Sequence, residues 1–210
     1  MDIRTNSRIV CCGKTGSGKS NYTAWLALQL SLKTRVWIYD FKGDYHHFLA
    51  DKARYTNNVQ ILPSLKERLV VYQPRPPQLA NLEAYCAIGL NSGHVMMIIE
   101  EADVFAKTMG AKPMPTDYYN LIHLGRSYNV GCMSVTRRPR RLHTDLLSQC
   151  EHIITFFQHD TKDLMALQEW IEDSNAKTIV HELAPYHYYH YSFMENRGAV
   201  MPPCPRMPLS

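Results

Sequence analysis

Residues 9–26 read Ile9-Val10-Cys11-Cys12-Gly13-Lys14-Thr15-Gly16-Ser17-Gly18-Lys19-Ser20-Asn21-Tyr22-Thr23-Ala24-Trp25-Leu26. An apolar run of strand length, a glycine-rich turn and a segment with helical apolar spacing follow one another directly, and the turn from Gly13 to Ser20 satisfies G-x-x-x-x-G-K-[ST]. Glycines at 13, 16 and 18 let successive backbone N–H groups, those of Lys14, Thr15 and Ser17 among them, curl around an anion with no Cβ in the way. The helix N-terminus that follows adds its partial positive charge. In such a loop Lys19 reaches the β- and γ-phosphates of a nucleotide and the Ser20 hydroxyl takes Mg²⁺. A dinucleotide fingerprint is excluded, because the third glycine of G-x-G-x-x-G would fall at Asn21.

Outward from this loop, short apolar runs alternate with helix-length segments along the whole chain. Strands are expected at 8–12, 35–39, 69–72, 94–99, 131–136, 152–157 and about 186–192, and helices at 19–32, 77–90, 115–126, 144–150 and 162–172. That alternation is the pattern of an α/β protein with a mostly parallel central sheet flanked by helices. Runs such as Val95-Met96-Met97-Ile98-Ile99 suit strands covered on both faces. Residues 1–198 read as one domain. Residues 199–210 read as a Pro-rich tail, since each proline in Met201-Pro202-Pro203-Cys204-Pro205-Arg206-Met207-Pro208 removes a backbone donor.

A phosphate loop needs an acidic partner at the end of a nearby strand. The run from His94 to Ile99 stops abruptly in Glu100-Glu101-Ala102-Asp103, on the edge where open α/β sheets place ligands. Glu100 is assigned to the Mg²⁺ shell and Glu101 to the attacking water. Asp103 suits the start of a helix better. On the same edge, Asp40-Phe41-Lys42-Gly43-Asp44-Tyr45 closes the second strand; Lys42 is a candidate contact for nucleotide or DNA, against a plain turn.

The chain has 210 residues, 23 basic against 19 acidic, a formal charge of +4, and 45% hydrophobic residues. These values exclude a disordered chain, a collagen-like repeat and a polycation, and they suit one globular domain. Five arginines, Arg126, Arg137, Arg138, Arg140 and Arg141, fall between 126 and 141 with no acidic residue among them. The remainder of the chain is close to neutral. Pro139 interrupts the run and suggests a loop whose guanidinium groups suit phosphate oxygens of ATP or of a DNA backbone. Six cysteines without a C-x-x-C spacing read as reduced thiols, and the absence of a long apolar run or signal core suits a soluble intracellular protein. His181, His187 and His190 match no standard metal spacing and fit an aromatic-rich strand.

Taken in order, Gly13 to Ser20, Asp40 to Asp44, Glu100-Glu101, Leu124-Gly125-Arg126 before Tyr128-Asn129-Val130-Gly131, and Val135-Thr136-Arg137-Arg138-Pro139 resemble the HerA/FtsK superfamily of P-loop ATPases over about residues 8–172. The size resembles the genome-packaging ATPases of icosahedral viruses that contain a membrane. The resemblance implies a RecA-like core, ATP and Mg²⁺ as substrate and cofactor, and a homo-oligomeric ring that moves double-stranded DNA by backbone contacts. It makes Arg126 an arginine finger acting on the neighbouring subunit, Thr136 a sensor of the γ-phosphate, and Lys42, Arg137, Arg138, Arg140 and Arg141 candidates for DNA. A packaging role implies a capsid vertex or viral membrane protein as a further partner, with the host cytoplasm and the virion as locations. Two features depart from the family pattern. Glu100 stands where Asp is usual, and Arg137 where Gln is common.

The residues leave other classes open: a cellular or conjugative DNA pump of the same superfamily, a small-molecule P-loop kinase, and a nucleotide-gated assembly protein. DNA-stimulated hydrolysis separates a pump from the last two.

Overall fold

The computed structural model describes residues 2–76, 78–106 and 114–207. Nine strands form one sheet: β1 (Arg8–Cys12), β2 (Arg35–Tyr39), β3 (Arg54–Thr56), β4 (Leu69–Tyr72), β5 (Val95–Ile99), β6 (Val130–Thr136), β7 (His152–Phe156), β8 (Tyr188–Ser192) and β9 (Arg197–Met201). Their order across the sheet is β3-β4-β2-β5-β6-β1-β7-β8-β9, and all neighbours are parallel except β7–β8 and β8–β9. Helices fill the connections: α1 (Lys19–Ser31), α2 (His46–Leu49), α3 (Leu79–Ser92), α4 (Ala102–Phe105), α5 (Thr116–Leu124), α6 (Thr144–Ser148), α7 (Thr161–Trp170) and α8 (Ala176–His181). The expected α/β class and mostly parallel sheet are therefore observed.

Alternation of side chains along each strand divides the interior into two layers. Ile9, Cys11, Val36 and Ile38 pack with Leu26 and Leu30 of α1, whereas Val10, Cys12, Trp37 and Tyr39 pack with Tyr85 of α3 and Leu121 of α5. Both faces are covered, which explains why all five residues of β5 are fully buried. Each such side chain contributes about 1.5–3 kcal/mol relative to exposure. Tyr85 is tolerated in this layer because its hydroxyl donates to the Trp37 carbonyl at 2.7 Å.

The sheet departs from the sequence expectation at its margins. β3, β9, α2, α4 and α8 are additional elements, all of six residues or fewer. β9 runs through position 199, where the tail was expected to begin, so the chain leaves the sheet only after Met201. Pro77, at the expected start of a helix, and residues 208–210 of the expected tail lie outside the described residues.

Parallel strands bring their C-terminal ends to one edge. Gly13, Asp40, Glu100, Arg137 and Phe157 follow directly on β1, β2, β5, β6 and β7, and this edge carries the site.

Candidate functional site

The loop after β1 holds a left-handed backbone at Gly18, φ 111°, which side chains rarely adopt. Space is the second constraint there: a Cβ on Gly18 would meet the Phe156 and Tyr186 rings at 3.3 Å. At Gly13 a Cβ would come within 2.6 Å of Phe156 Cβ. The Lys14 N–H donates to the Phe157 carbonyl at 3.0 Å, tying the loop to β7. The Lys14 carbonyl accepts from Ser17 Oγ at 2.7 Å and from Lys19 Nζ at 3.0 Å. Lys19 is buried, and that burial lowers its pKa while Glu100 offsets part of the effect. Thr15 and Gly16 are exposed and Ser20 half-buried at the start of α1.

The two glutamates after β5 have different surroundings. Glu100 receives the Tyr45 hydroxyl, and desolvation pushes its pKa up to about 7, opposed by that hydrogen bond and by Lys19. Glu101 has a left-handed backbone, φ 49°, and its Oε1 accepts both Lys42 Nζ at 2.5 Å and Arg137 Nε at 2.8 Å. Asp40 organises this arrangement. It is 1% exposed and accepts the N–H groups of Gly43, Asp44 and Tyr45 at 3.0, 3.2 and 3.1 Å, with Gln73 Nε2 at 3.2 Å. The turn so fixed delivers Lys42 to one glutamate and Tyr45 to the other. Sequence reasoning gave Asp40 and Tyr45 no part in the site, although an Asp three residues before a Gly is an Asx-turn signal.

Most of the arginine segment engages carboxylates of its own chain. Arg137 is on Glu101, Arg138 Nη1 reaches Asp160 at 3.2 Å and Asp163 at 3.5 Å, and Arg140 Nε lies 3.7 Å from Asp163. This corrects the picture of an open cationic loop. Pro139 starts a 3₁₀ turn, Pro139–Arg141, that packs on the N-terminus of α7, where Asp160 caps the helix by accepting from Lys162 and Asp163 N–H. Arg141 is exposed. Thr136 also points inward: its hydroxyl donates to Asp103 at 2.7 Å and accepts the Arg138 N–H at 2.9 Å. Arg126 follows α5 in a 3₁₀ turn at the start of β6, the opposite edge of the sheet from the loop. It is 60% exposed, with Nη1 3.9 Å from Glu151. At about 3.3 Å per residue, the seven residues of β6 separate the two edges by roughly 20 Å.

Cavities of about 390 and 350 Å³ flank the loop. The first is lined by Gly16, Gly18, Lys19 and Ser20, and the second by Lys14, Thr15 and Ser17. Ser20 and Glu100 offer the hard oxygen donors that Mg²⁺ takes together with phosphate and water. Glu100 fits that role because it is desolvated with a hydroxyl donor on it, a carboxylate that a nearby cation would favour in its charged form. Among the described residues no cluster of three or more His, Cys, Asp or Glu forms a metal site, and no helix is long and apolar enough to cross a membrane. His190 instead faces His152 at 3.2 Å, and the ring nitrogens of His181 and His187 lie 3.2 Å from the Gln158 and Pro185 carbonyls.

Comparison with known proteins places these features in a family context. The family model described as the central domain of helicase HerA matches residues 6–106, which span the loop and Glu100–Asp103. The DNA packaging ATPase P9 of Enterobacteria phage PRD1 is 25% identical over 214 residues, covering 94% of this chain and 87% of that protein. The genome packaging NTPase B204 of Sulfolobus turreted icosahedral virus 2, solved with AMPPCP, superposes with a TM-score of 0.78 at 20% identity, covering 96% of this chain and all of that one. The pCW3 conjugation coupling protein TcpA gives a TM-score of 0.59 at 16% identity, over 90% of this chain but 58% of its own. The resemblance to the HerA/FtsK superfamily read from the motifs is thus borne out, and the chain is similar over almost its whole length to these two viral packaging proteins.

Proposed function

We propose that this chain is an ATPase that drives double-stranded DNA into a viral capsid, working as a homo-oligomeric ring in the host cytoplasm and retained in the virion. The observation that carries the ATPase reading is the convergence of Lys19, Glu100 and Glu101 on one sheet edge beside the glycine loop. Similarity to P9 over 94% of the chain supports the packaging role. In this reading the single domain expected at 1–198 extends to Met201, the end of β9.

Backbone N–H groups of the loop other than those of Lys14 and Ser17, which donate to the Phe157 and Lys14 carbonyls, bind the phosphates of ATP, and Lys19 supplies a buried charge where water competes little for it. Ser20 and Glu100 would hold Mg²⁺, which when bound neutralises charge developing on the phosphoryl oxygens. Glu101 positions a water and accepts its proton as the water oxygen bonds to the γ-phosphorus and the bond to ADP breaks. Lys42 and Arg137 hold that carboxylate in a fixed direction. The position of Arg126, an edge away from its own loop and largely exposed, suits action on a neighbouring subunit's ATP. Arg141 remains the simplest DNA candidate of the segment, while Lys42, Arg137, Arg138 and Arg140 would have to exchange a carboxylate for a phosphate. Such contacts read the backbone and carry no base preference.

The test is ATP hydrolysis measured with and without duplex DNA, alongside particle mass with and without ATP. Stimulation by DNA of any sequence in an assembled particle is expected. Hydrolysis that requires a small acceptor would point to a kinase, and binding without turnover in any condition would sink the motor reading.

A further inference from the structure

Three strands are entered through the same pattern. Lys33-Thr34-Arg35 leads into β2, Lys52-Ala53-Arg54 into β3 and Lys66-Glu67-Arg68 into β4. These strands are consecutive neighbours, β3-β4-β2, and all run parallel. The three pairs therefore meet at the N-terminal edge of the sheet, opposite the edge that carries the glycine loop. With Asp51, which precedes Lys52, the segments hold six basic and two acidic residues, and their formal excess of four equals that of the whole chain.

Arg137, Arg138 and Arg140 are engaged by carboxylates, whereas these cations are not. Among the described residues no ion pair holds Lys33, Lys52, Arg54, Lys66 or Arg68, and all five are exposed. Leu32, the cap residue of α1, stands beside them. At 72% it is the most exposed large hydrophobic residue among those described. Its position is fixed: the Leu32 carbonyl accepts Arg68 Nη1 at 2.8 Å, and the Lys33 and Thr34 N–H groups both donate to the Leu30 carbonyl at 2.9 Å. Thr34 Oγ1 donates to the His94 carbonyl at 3.0 Å and Arg35 Nη2 to the Gly93 carbonyl at 2.7 Å, tying this turn to the loop before β5.

A lone exposed leucine is ordinary. One set on a fixed turn among five exposed cations is the combination that an anionic bilayer surface binds: Lys and Arg reach headgroup phosphates while the aliphatic tip enters the acyl boundary. Duplex DNA is also a polyanion, but a contact made of phosphate oxygens has no use for the leucine. A grip on DNA that changes with each hydrolysis belongs near Glu100 and Glu101, and this edge lies at the far end of the strands.

We propose that the N-terminal edge of β3, β4 and β2 is a peripheral docking surface for a bilayer rich in anionic phospholipid, with Leu32 as its apolar tip. One leucine and five cations make a reversible association, an anchor that leaves the opposite edge open to nucleotide. The proposal is independent of the ATP reading above.

The experiment is co-sedimentation of the full chain with vesicles of phosphatidylcholine, alone or mixed with phosphatidylglycerol, at low and moderate salt. Binding to the mixed vesicles only, weakened by salt, is expected. Lys33→Gln, Lys52→Gln and Lys66→Gln should each lower the partition coefficient about fivefold. Leu32→Ser should lower it about tenfold. All four side chains are exposed, so Tm should hold in every variant. Leu32→Trp should bind at least as tightly, and its indole emission should shift to the blue on mixed vesicles by more than the wild-type emission does. Absence of binding to mixed vesicles, equal binding to both kinds, or Leu32→Ser binding like wild type would each overturn the surface. So would duplex-DNA binding that the three glutamine substitutions abolish together while vesicles stay unbound, which would make this edge a DNA contact.

Discussion

Arg137 Nε lies 2.8 Å from Glu101 Oε1, the same oxygen that Lys42 Nζ approaches to 2.5 Å. One carboxylate oxygen thus faces two cations, and both come from the ends of neighbouring strands of β5. Replacing Glu101 by Gln keeps the shape and removes the charge. Hydrolysis is expected to fall by about 10²–10⁴, with ATP affinity within a few-fold of wild type. Steady-state turnover and equilibrium binding check the two halves; unchanged turnover would remove Glu101 from the role of base.

Arg126 is exposed, and its ion pair with Glu151 is long at 3.9 Å, so Arg126→Ala should alter stability by no more than about 0.5 kcal/mol. If it acts across a subunit boundary, turnover drops by about 10³–10⁵. Mixing Arg126→Ala with Lys19→Ala protein should recover part of the activity, since each copy supplies what the other lacks. Absence of recovery in mixed particles that demonstrably co-assemble would count against the trans assignment.

Glu100 gives the nucleotide-free protein a pH signature. Its folded pKa of about 7 lies above the ordinary 4.5, so the folded state holds the proton more tightly than the unfolded chain. The stability this adds is present in full below about 4.5 and is lost as pH rises through 7. Glu100→Gln does not titrate. Its Tm relative to wild type should therefore rise between pH 5 and pH 8, and a flat difference across that range would contradict the desolvated carboxyl.

Thr136 was expected to sense nucleotide, but its hydroxyl is committed to Asp103 and to the Arg138 N–H. Thr136→Val should cost about 1–3 kcal/mol in denaturant unfolding, because buried Asp103 loses a donor. Nucleotide affinity should change less than twofold. A large affinity loss with unchanged stability would restore the sensing role.

What the sequence made legible follows from the physics of each signal. β1, β2 and β4 have the expected bounds because continuous apolar runs flanked by turn residues have few other uses. β3 and β9 escaped notice: Arg54–Thr56 is three residues long, and Arg197–Met201 is an edge strand, half-buried or exposed, whose short Ala199-Val200-Met201 run leads straight into prolines. At the site, the loop and the glutamate pair were readable because their chemistry is contiguous in sequence. The partners of Arg138 and Arg140 were not, since Asp160 and Asp163 lie some twenty positions away and meet them only through the packing of α7. Asp40 and Tyr45 belong to the same class, acting on Glu100 and Glu101 through a turn whose geometry is visible only once folded.

Residues 204–207 are tied to Asn21, whose Nδ2 donates to Cys204 Sγ and to the Pro205 carbonyl and whose Oδ1 accepts the Met207 N–H. Met207 is seated against the helix that begins at Lys19. Removing residues 202–207 would leave the Asn21 amide without these partners and uncover Tyr22 and Leu26, so the proline-rich segment belongs to the fold rather than to a loose tail.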